Sequence, residues 1–221
     1  MTAVEEFLKR VPYFAELGPQ EMGRVAAMVV ECGFDRGEVI FLEGRRCEGV
    51  YLVASGQVRI YKVSPEGREQ VLLVAGPGET FNEVPVFDGG PNPATAEALE
   101  PTVLYLVPRD DLLALAAEYP AIGKGIMRVF ASHLRHLTSL VEDLSFRNVR
   151  SRVAKALLKW EDQQVSGRVT PRLTHKQIAA LAGTAREVVG RVVKSLEDQG
   201  ALTIEHGHIA RVDREKLIDV M

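Results

Sequence analysis

The sequence predicts an α+β chain: an N-terminal β jelly roll, one long helix, and a C-terminal winged helix-turn-helix. Three observations carry that expectation. Short β-rich runs broken by glycine and proline fill the stretch from Val29 to Val107. A heptad-spaced apolar series then runs from Ile126 to Leu144. Finally, Thr174 to Leu196 reads as two short helices joined at Gly183. The expected boundaries are 1–119 for the roll with its N-terminal helices, 120–147 for the long helix, and 148–221 for the C-terminal domain.

The chain opens with helical apolar spacing at Phe7, Leu8 and Val11, then Val25, Met28 and Val29, interrupted by Pro12 and Gly18-Pro19. Short helices are expected there. The runs VIFL, VYLV, QVRIYKV, QVLLVA and TVLYLV follow as strands, with turns at Gly37, Gly44, Gly56, Gly67, Gly76-Pro77-Gly78 and Gly89-Gly90-Pro91. Pro108 to about Glu118 is one short helix, and Pro120 opens the next. On that long helix Ile126, Phe130, His133, Leu137, Leu140 and Leu144 recur at intervals of 4, 3, 4, 3 and 4 residues. A second apolar row, Met127, Leu134 and Val141, lies one position further round. One row can meet an identical helix while the other lies on its own β domain, although a single broad core-facing stripe gives similar spacing. The first row is assigned to the dimer seam. His133 would then face its own copy, where a polar residue can fix register.

Val149, Val153, Ala156, Leu157 and Trp160 mark a further amphipathic helix, and DQQVSGRVTPRLT a loop or short hairpin. Ile178 and Leu181 line the first helix of the following pair. Ala185, Val188, Val189, Val192 and Leu196 line the second. Two capping boxes are expected, Thr174 with Gln177 and Thr184 with Glu187. Arg186, Glu187, Gly190, Arg191 and Lys194 occupy the opposite face. Two guanidinium forks, a carboxylate acceptor and a glycine suit a helix that enters a DNA major groove and reads base edges. Glu187 has a competing use as the cap of its own helix. ALTIEHGHIARV reads as two strands about His206-Gly207, a wing. His206 and His208 are too sparse for a metal site.

Composition narrows the function classes. At 46% hydrophobic and 26% charged residues the chain is ordinary for a globular protein. It has no apolar run long enough to span a membrane and no hydrophobic signal core at MTAVEEFLKR, so a cytoplasmic location is expected. Cys32 and Cys47 form no ligand pattern and are expected as buried thiols. Residues 1–147 carry 14 Lys+Arg against 21 Asp+Glu, whereas residues 148–221 carry 13 against 9. An acidic module is therefore joined to a basic one, as a sensor joined to a DNA-binding domain would be. No nucleophile elbow, P-loop or H-E-x-x-H supports an enzyme. A regulatory subunit that never touches DNA is the remaining alternative, and the Arg186–Lys194 face argues against it.

An acidic jelly roll, a long helix and a winged helix-turn-helix, in that order, resemble the CRP/FNR family of bacterial transcription regulators. The most specific segments are LSFRNVRSRVAKALL and TAREVVGRVVKSLEDQGAL, the latter similar to the R-E-x-x-G-R pattern of cyclic-AMP-receptor proteins. The resemblance implies a cyclic-nucleotide-binding-like roll and a homodimer on palindromic double-stranded DNA with a TGTGA-like half-site. RNA polymerase is the further partner it implies, and a membrane is not one. It implies base reading by Arg186, Glu187 and Arg191, with His175 and Lys176 at the phosphate backbone. Thr184, Gly190 and Lys194 complete the expected DNA-binding set. The effector pocket is expected at Asn82, Glu83, Ala94, Thr95, His133, Leu137 and Thr138. It departs from the cyclic-nucleotide pattern. Phe81-Asn82-Glu83-Val84 keeps the carboxylate but replaces the glycine, and Asn92–Ala96 lacks the arginine that neutralises a cyclic phosphate. A buried phosphate without a paired cation is costly, so cyclic AMP is not the expected ligand. An iron–sulfur cluster is not expected either, because the N-terminal cysteine cluster is missing. Haem ligated by His133 or His136 stays open, since some relatives bind haem and PNPATAEAL resembles the nitric-oxide-responsive branch. So does regulation with no small molecule.

Overall fold

The computed structural model describes residues 2–165, 173–205 and 208–221. The expected connection after residue 165 and the turn at His206-Gly207 therefore lie outside the described residues. The chain forms two compact units, residues 1–61 with 73–136, and residues 62–72 with 137–221.

The first unit opens with α1 (Ala3–Leu8), capped by a Thr2/Glu5 box, and α2 (Pro19–Met28), which begins at its proline. The strands follow: β1 (Val30–Phe34), β2 (Val39–Phe41), β3 (Gly49–Ser55), β4 (Val58–Val63), β5 (Glu69–Ala75), β6 (Thr80–Phe81), β7 (Thr95–Ala98) and β8 (Thr102–Pro108). They form two four-stranded sheets, ordered β1-β8-β3-β6 and β2-β7-β4-β5. Pairing joins distant segments: Val30 faces Leu106 and Phe34 faces Thr102 across an antiparallel ladder. Strand β3 explains its continuous apolar run, because both its faces are covered. Tyr51 and Val53 join Val58, Phe81, Ala96 and Leu104 inside the roll, while Val50 and Leu52 pack under the helices. The Tyr51 and Phe81 rings stack at 5.3 Å.

A short helix, α3 (Glu83–Asp88), interrupts the strands, and α4 (Arg109–Glu118) leads into α5 (Pro120–Phe146). At Gly125 on α5 a Cβ would lie 2.3 Å from the Pro12 carbonyl oxygen. The long helix can therefore sit directly on the N-terminal backbone only because this residue has no side chain.

The structure divides the first row on α5, its start turning inward while Leu137 and Leu144 stay exposed. Ile126 is only 4% exposed and belongs to the core beneath the helices, with Phe130 packed against the same cluster. Phe130 meets the Phe87 ring edge-on at 5.7 Å, and His133 is half-buried. The outward row is the second one: Met127, Leu134 and Val141 are 73%, 64% and 62% exposed. Leu137 and Leu144 flank it at 41% and 40%, and Leu140 is half-buried. Ile126 is thus buried in its own domain, and Phe130 and His133 lie against α3. The physical reason is α3, whose Phe87 and Glu83 claim that side of the helix.

The second unit contains α6 (Val149–Val165), α7 (His175–Ala182), α8 (Arg186–Asp198), the antiparallel pair β9 (Leu202–Glu205) and β10 (His208–Val212), and α9 (Arg214–Asp219). Val153, Leu157, Ile178, Val189, Val193, Leu196, Ile209 and Leu217 share its core. Asn148 caps α6 through the Ser151 N–H, and the Ser151 hydroxyl donates to the Val220 carbonyl, pinning α9.

Candidate nucleic-acid interface and effector site

Helices α7 and α8 form the expected helix-turn-helix. Thr174 and Gln177 make the reciprocal capping box at the start of α7, and Gly183 ends it in the left-handed region at φ 60°. Arg152 closes the same end, its Nε donating to the Ala182 carbonyl at 2.7 Å and its Nη1 to the Arg147 carbonyl. A guanidinium there satisfies orphan carbonyls and opposes the negative end of the helix dipole.

The second capping box does not form. The cap of α8 is Ala185, which offers no side-chain acceptor, and Thr184 lies one residue before it. The Thr184 N–H is drawn back to the Ala179 carbonyl at 3.0 Å, completing the left-handed turn at Gly183. Glu187 consequently stands at the second helical position rather than the third, and its capping role disappears. Among the described residues the side chains of Arg186, Glu187 and Arg191 make no hydrogen bond or ion pair, and all three are exposed. Lys194, also exposed, lies near Glu197 and Asp198 at 3.1 and 3.3 Å. Such surface pairs exchange readily for other partners. The buried stripe beneath them is Val189, Val193 and Leu196. A Cβ at Gly190 would make an ordinary contact with the His175 ring at 3.8 Å, so packing does not demand a glycine there. His175 is half-buried between the helices, while Lys176 is 69% exposed and pairs with Glu69 at 2.9 Å.

Of the expected effector residues, Glu83 and His133 stand 3.8 Å apart in the first unit. Asn82 adopts φ 74°, the left-handed conformation that a glycine would take most easily and asparagine tolerates. Its amide donates to the Gly49 carbonyl and to Asn92 Oδ1, each at 3.1 Å. Asn92 is buried and its own N–H donates to the Arg45 carbonyl. An amide pair thus ties the Asn82 turn to the Asn92 segment. Ala94 and Thr95 are buried, with Thr95 Oγ1 accepting from the Glu43 N–H. Leu137 and Thr138 are exposed.

Glu83 is 4% exposed, and its Oε1 is taken by its own chain. The Tyr13 hydroxyl donates to it at 2.7 Å, and Thr80 Oγ1 lies 2.5 Å away. His133 Nδ1 stands 3.8 Å from the other oxygen. Burial, with the Glu83 charge beside it, pushes the Tyr13 phenol well above its ordinary range, so it remains a donor. Tyr13 was missing from the expected site. Nothing in PYF signals a partner 70 residues away. Cys47 is buried as expected, but Cys32 is only half-buried, and burial raises both thiols. No group of three or more potential metal ligands occurs among the described residues. No described helix is long and apolar enough to cross a membrane.

Comparison with known proteins places two families on this architecture. The cyclic nucleotide-binding domain matches residues 31–119, and the Crp-like helix-turn-helix domain matches residues 151–220. The cyclic AMP receptor protein of Thermus thermophilus is 35% identical over 91% of this chain and 93% of that protein. A CRP-like cAMP-activated global transcriptional regulator of Mycobacterium tuberculosis is 32% identical, covering 97% of this chain and 98% of the other. The structure of FixK2 from Bradyrhizobium japonicum superposes with a TM-score of 0.72 at 28% identity, over 87% of this chain and 96% of that one.

Proposed function

The chain belongs to the CRP/FNR family of DNA-binding transcription regulators, and from that premise we propose how its own residues read DNA, pair and respond. It is a regulator and not an enzyme. Arg186 and Arg191 donate to guanine O6 and N7, and Glu187 accepts from cytosine N4. His175, Lys176, Thr184 and Lys194 hold phosphates, which fix register without reading sequence. The observation that carries this reading is the α8 surface, where two guanidinium groups and a carboxylate stand exposed and uncommitted above a buried Val189/Val193/Leu196 stripe. Selection from random duplexes tests it. The expected product is a palindrome with half-sites about 34–36 Å apart. Arg186→Ala should cost about 1–3 kcal/mol and relax one position of each half-site. An unchanged sequence preference in that variant refutes the assignment.

The two-fold seam of the dimer follows the exposed row of α5: Met127, Leu134 and Val141, with Leu137 and Leu144 beside it. RNA polymerase is the further protein partner and the cytoplasm the location, both resting on family membership.

The roll does not take cyclic AMP as its regulatory ligand. Asn92–Ala96 contains no lysine or arginine, the Asn82–Asn92 pair occupies that corner, and Tyr13 already donates to Glu83. The names of the two relatives favour the opposite reading, in which Arg45, bonded through its backbone to Asn92, would supply the cation. Calorimetry with cyclic AMP, paired with operator binding, separates them. Micromolar affinity coupled to tighter DNA binding sinks the first reading.

A further inference from the structure

The charge opposite Lys176 belongs to neither DNA nor a neighbouring helix. It is Glu69, the first residue of β5, at the tip of the β4–β5 hairpin. Residues 62–72 of that hairpin cluster with the C-terminal unit. Glu69 is 16% exposed at its side chain, so its carboxylate is largely fixed, and it lies 2.9 Å from the Lys176 ammonium. The neighbouring residue makes a second contact on the same motif. A Cβ at Gly183, the turn between α7 and α8, would lie 2.3 Å from Gln70 Oε1. The hairpin tip thus touches both ends of α7, the helix that precedes the DNA-reading one.

We propose that this hairpin is an autoinhibitory latch, in which the Glu69 carboxylate occupies Lys176 in place of a DNA phosphate. This deepens the proposed DNA-binding reading and rests on Lys176 being a phosphate contact. One ammonium cannot neutralise two anions at full strength, so DNA must displace Glu69. The latch therefore lowers affinity for every sequence alike, because phosphate contacts carry no sequence information. It also sets a route for regulation: whatever shifts the hairpin away from α7 releases a cation for DNA without touching Arg186 or Arg191.

The test is a double-mutant cycle on the full chain, read by fluorescence anisotropy with a mixed-sequence duplex across a salt series. Lys176→Gln should weaken binding several-fold and flatten the salt dependence. Glu69→Gln should tighten binding. A partly exposed pair opened in both protomers predicts a gain of roughly 2- to 25-fold. In the Lys176→Gln background that gain should vanish. Glu69→Asp keeps the charge but withdraws it by one methylene, so it should also tighten binding, which a general field effect would not produce. Far-UV circular dichroism and a cooperative melt check that each variant folds. If Lys176→Gln weakens binding but neither Glu69 variant tightens it, the latch is wrong and the phosphate contact stands. A Glu69→Gln gain that persists without Lys176 also overturns the latch. If Lys176→Gln changes nothing, the phosphate reading fails and the latch with it.

Discussion

Replacing Leu134 by alanine should dissociate the dimer, whereas replacing Ile126 should not. Leu134 is 64% exposed in the single chain, and Ile126 is 4% exposed. Fully burying a leucine side chain contributes about 1.5–3 kcal/mol, so covering the exposed part of Leu134 contributes about 1–2 kcal/mol per copy. Two-fold symmetry counts it twice, giving about 2–4 kcal/mol for the pair. At a factor of ten per 1.4 kcal/mol, the dissociation constant should rise about 30- to 700-fold. Leu134→Asp should have a larger effect, because it sets two carboxylates against each other across the axis. Ile126→Ala instead opens a cavity in the core it shares with Leu115 and Ile122, and should cost about 2–5 kcal/mol of folding stability. Sedimentation velocity over a dilution series reads the first quantity. Thermal unfolding at fixed high concentration reads the second, since dilution alone lowers the melting temperature of a dimer. A tight Leu134→Asp dimer, or selective dissociation by Ile126→Ala, refutes the outward-row seam.

Two further outcomes follow from buried polar geometry and backbone conformation. Tyr13→Phe removes a donor from buried Glu83 and should lower urea stability by about 1–3 kcal/mol without changing the m-value. Unchanged stability would mean that Glu83 does not depend on Tyr13. Gly183→Ala forces a side chain into φ 60° and to within 2.3 Å of Gln70 Oε1, and should cost the C-terminal unit at least about 1–2 kcal/mol, seen as a lower midpoint in its thermal transition. A raised midpoint would contradict the left-handed turn.

Features set by neighbours in sequence were the legible ones. The Thr174/Gln177 box, the break at Gly183 and the β runs depend on spacings of two to four residues, whereas on α8 only Val189 and Leu196 of the expected stripe are buried and Val193 joins them. What misled was tertiary. Both rows on α5 are apolar, and the buried position of Ile126 and the contacts of Phe130 and His133 with Phe87 and Glu83 were not visible in their spacing. Thr184 satisfied a sequence pattern, but the turn at Gly183 drew its N–H back to Ala179 and moved the cap to Ala185. Tyr13 meets Glu83 only because the N-terminal segment is folded under α3. Helices α3 and α9 were missed: both are only six residues long, and Pro85 inside α3 reads as a helix breaker.

The core that joins Leu8, Val11 and Phe14 to Leu112, Leu115 and Ile122 also sets a timetable for synthesis. The N-terminal residues leave the ribosome first, yet their partners come from α4 and α5, and β1 must wait for β8. At the usual 5–20 residues per second, the interval between Phe14 and Ile126 is roughly 5–20 s. Throughout it the nascent chain carries a bare apolar segment and an unpaired strand, the kind of surface on which chaperones act and aggregation begins. Polar substitutions at Leu8, Val11 or Phe14 should therefore lower soluble yield in the cell as well as the stability of the finished protein.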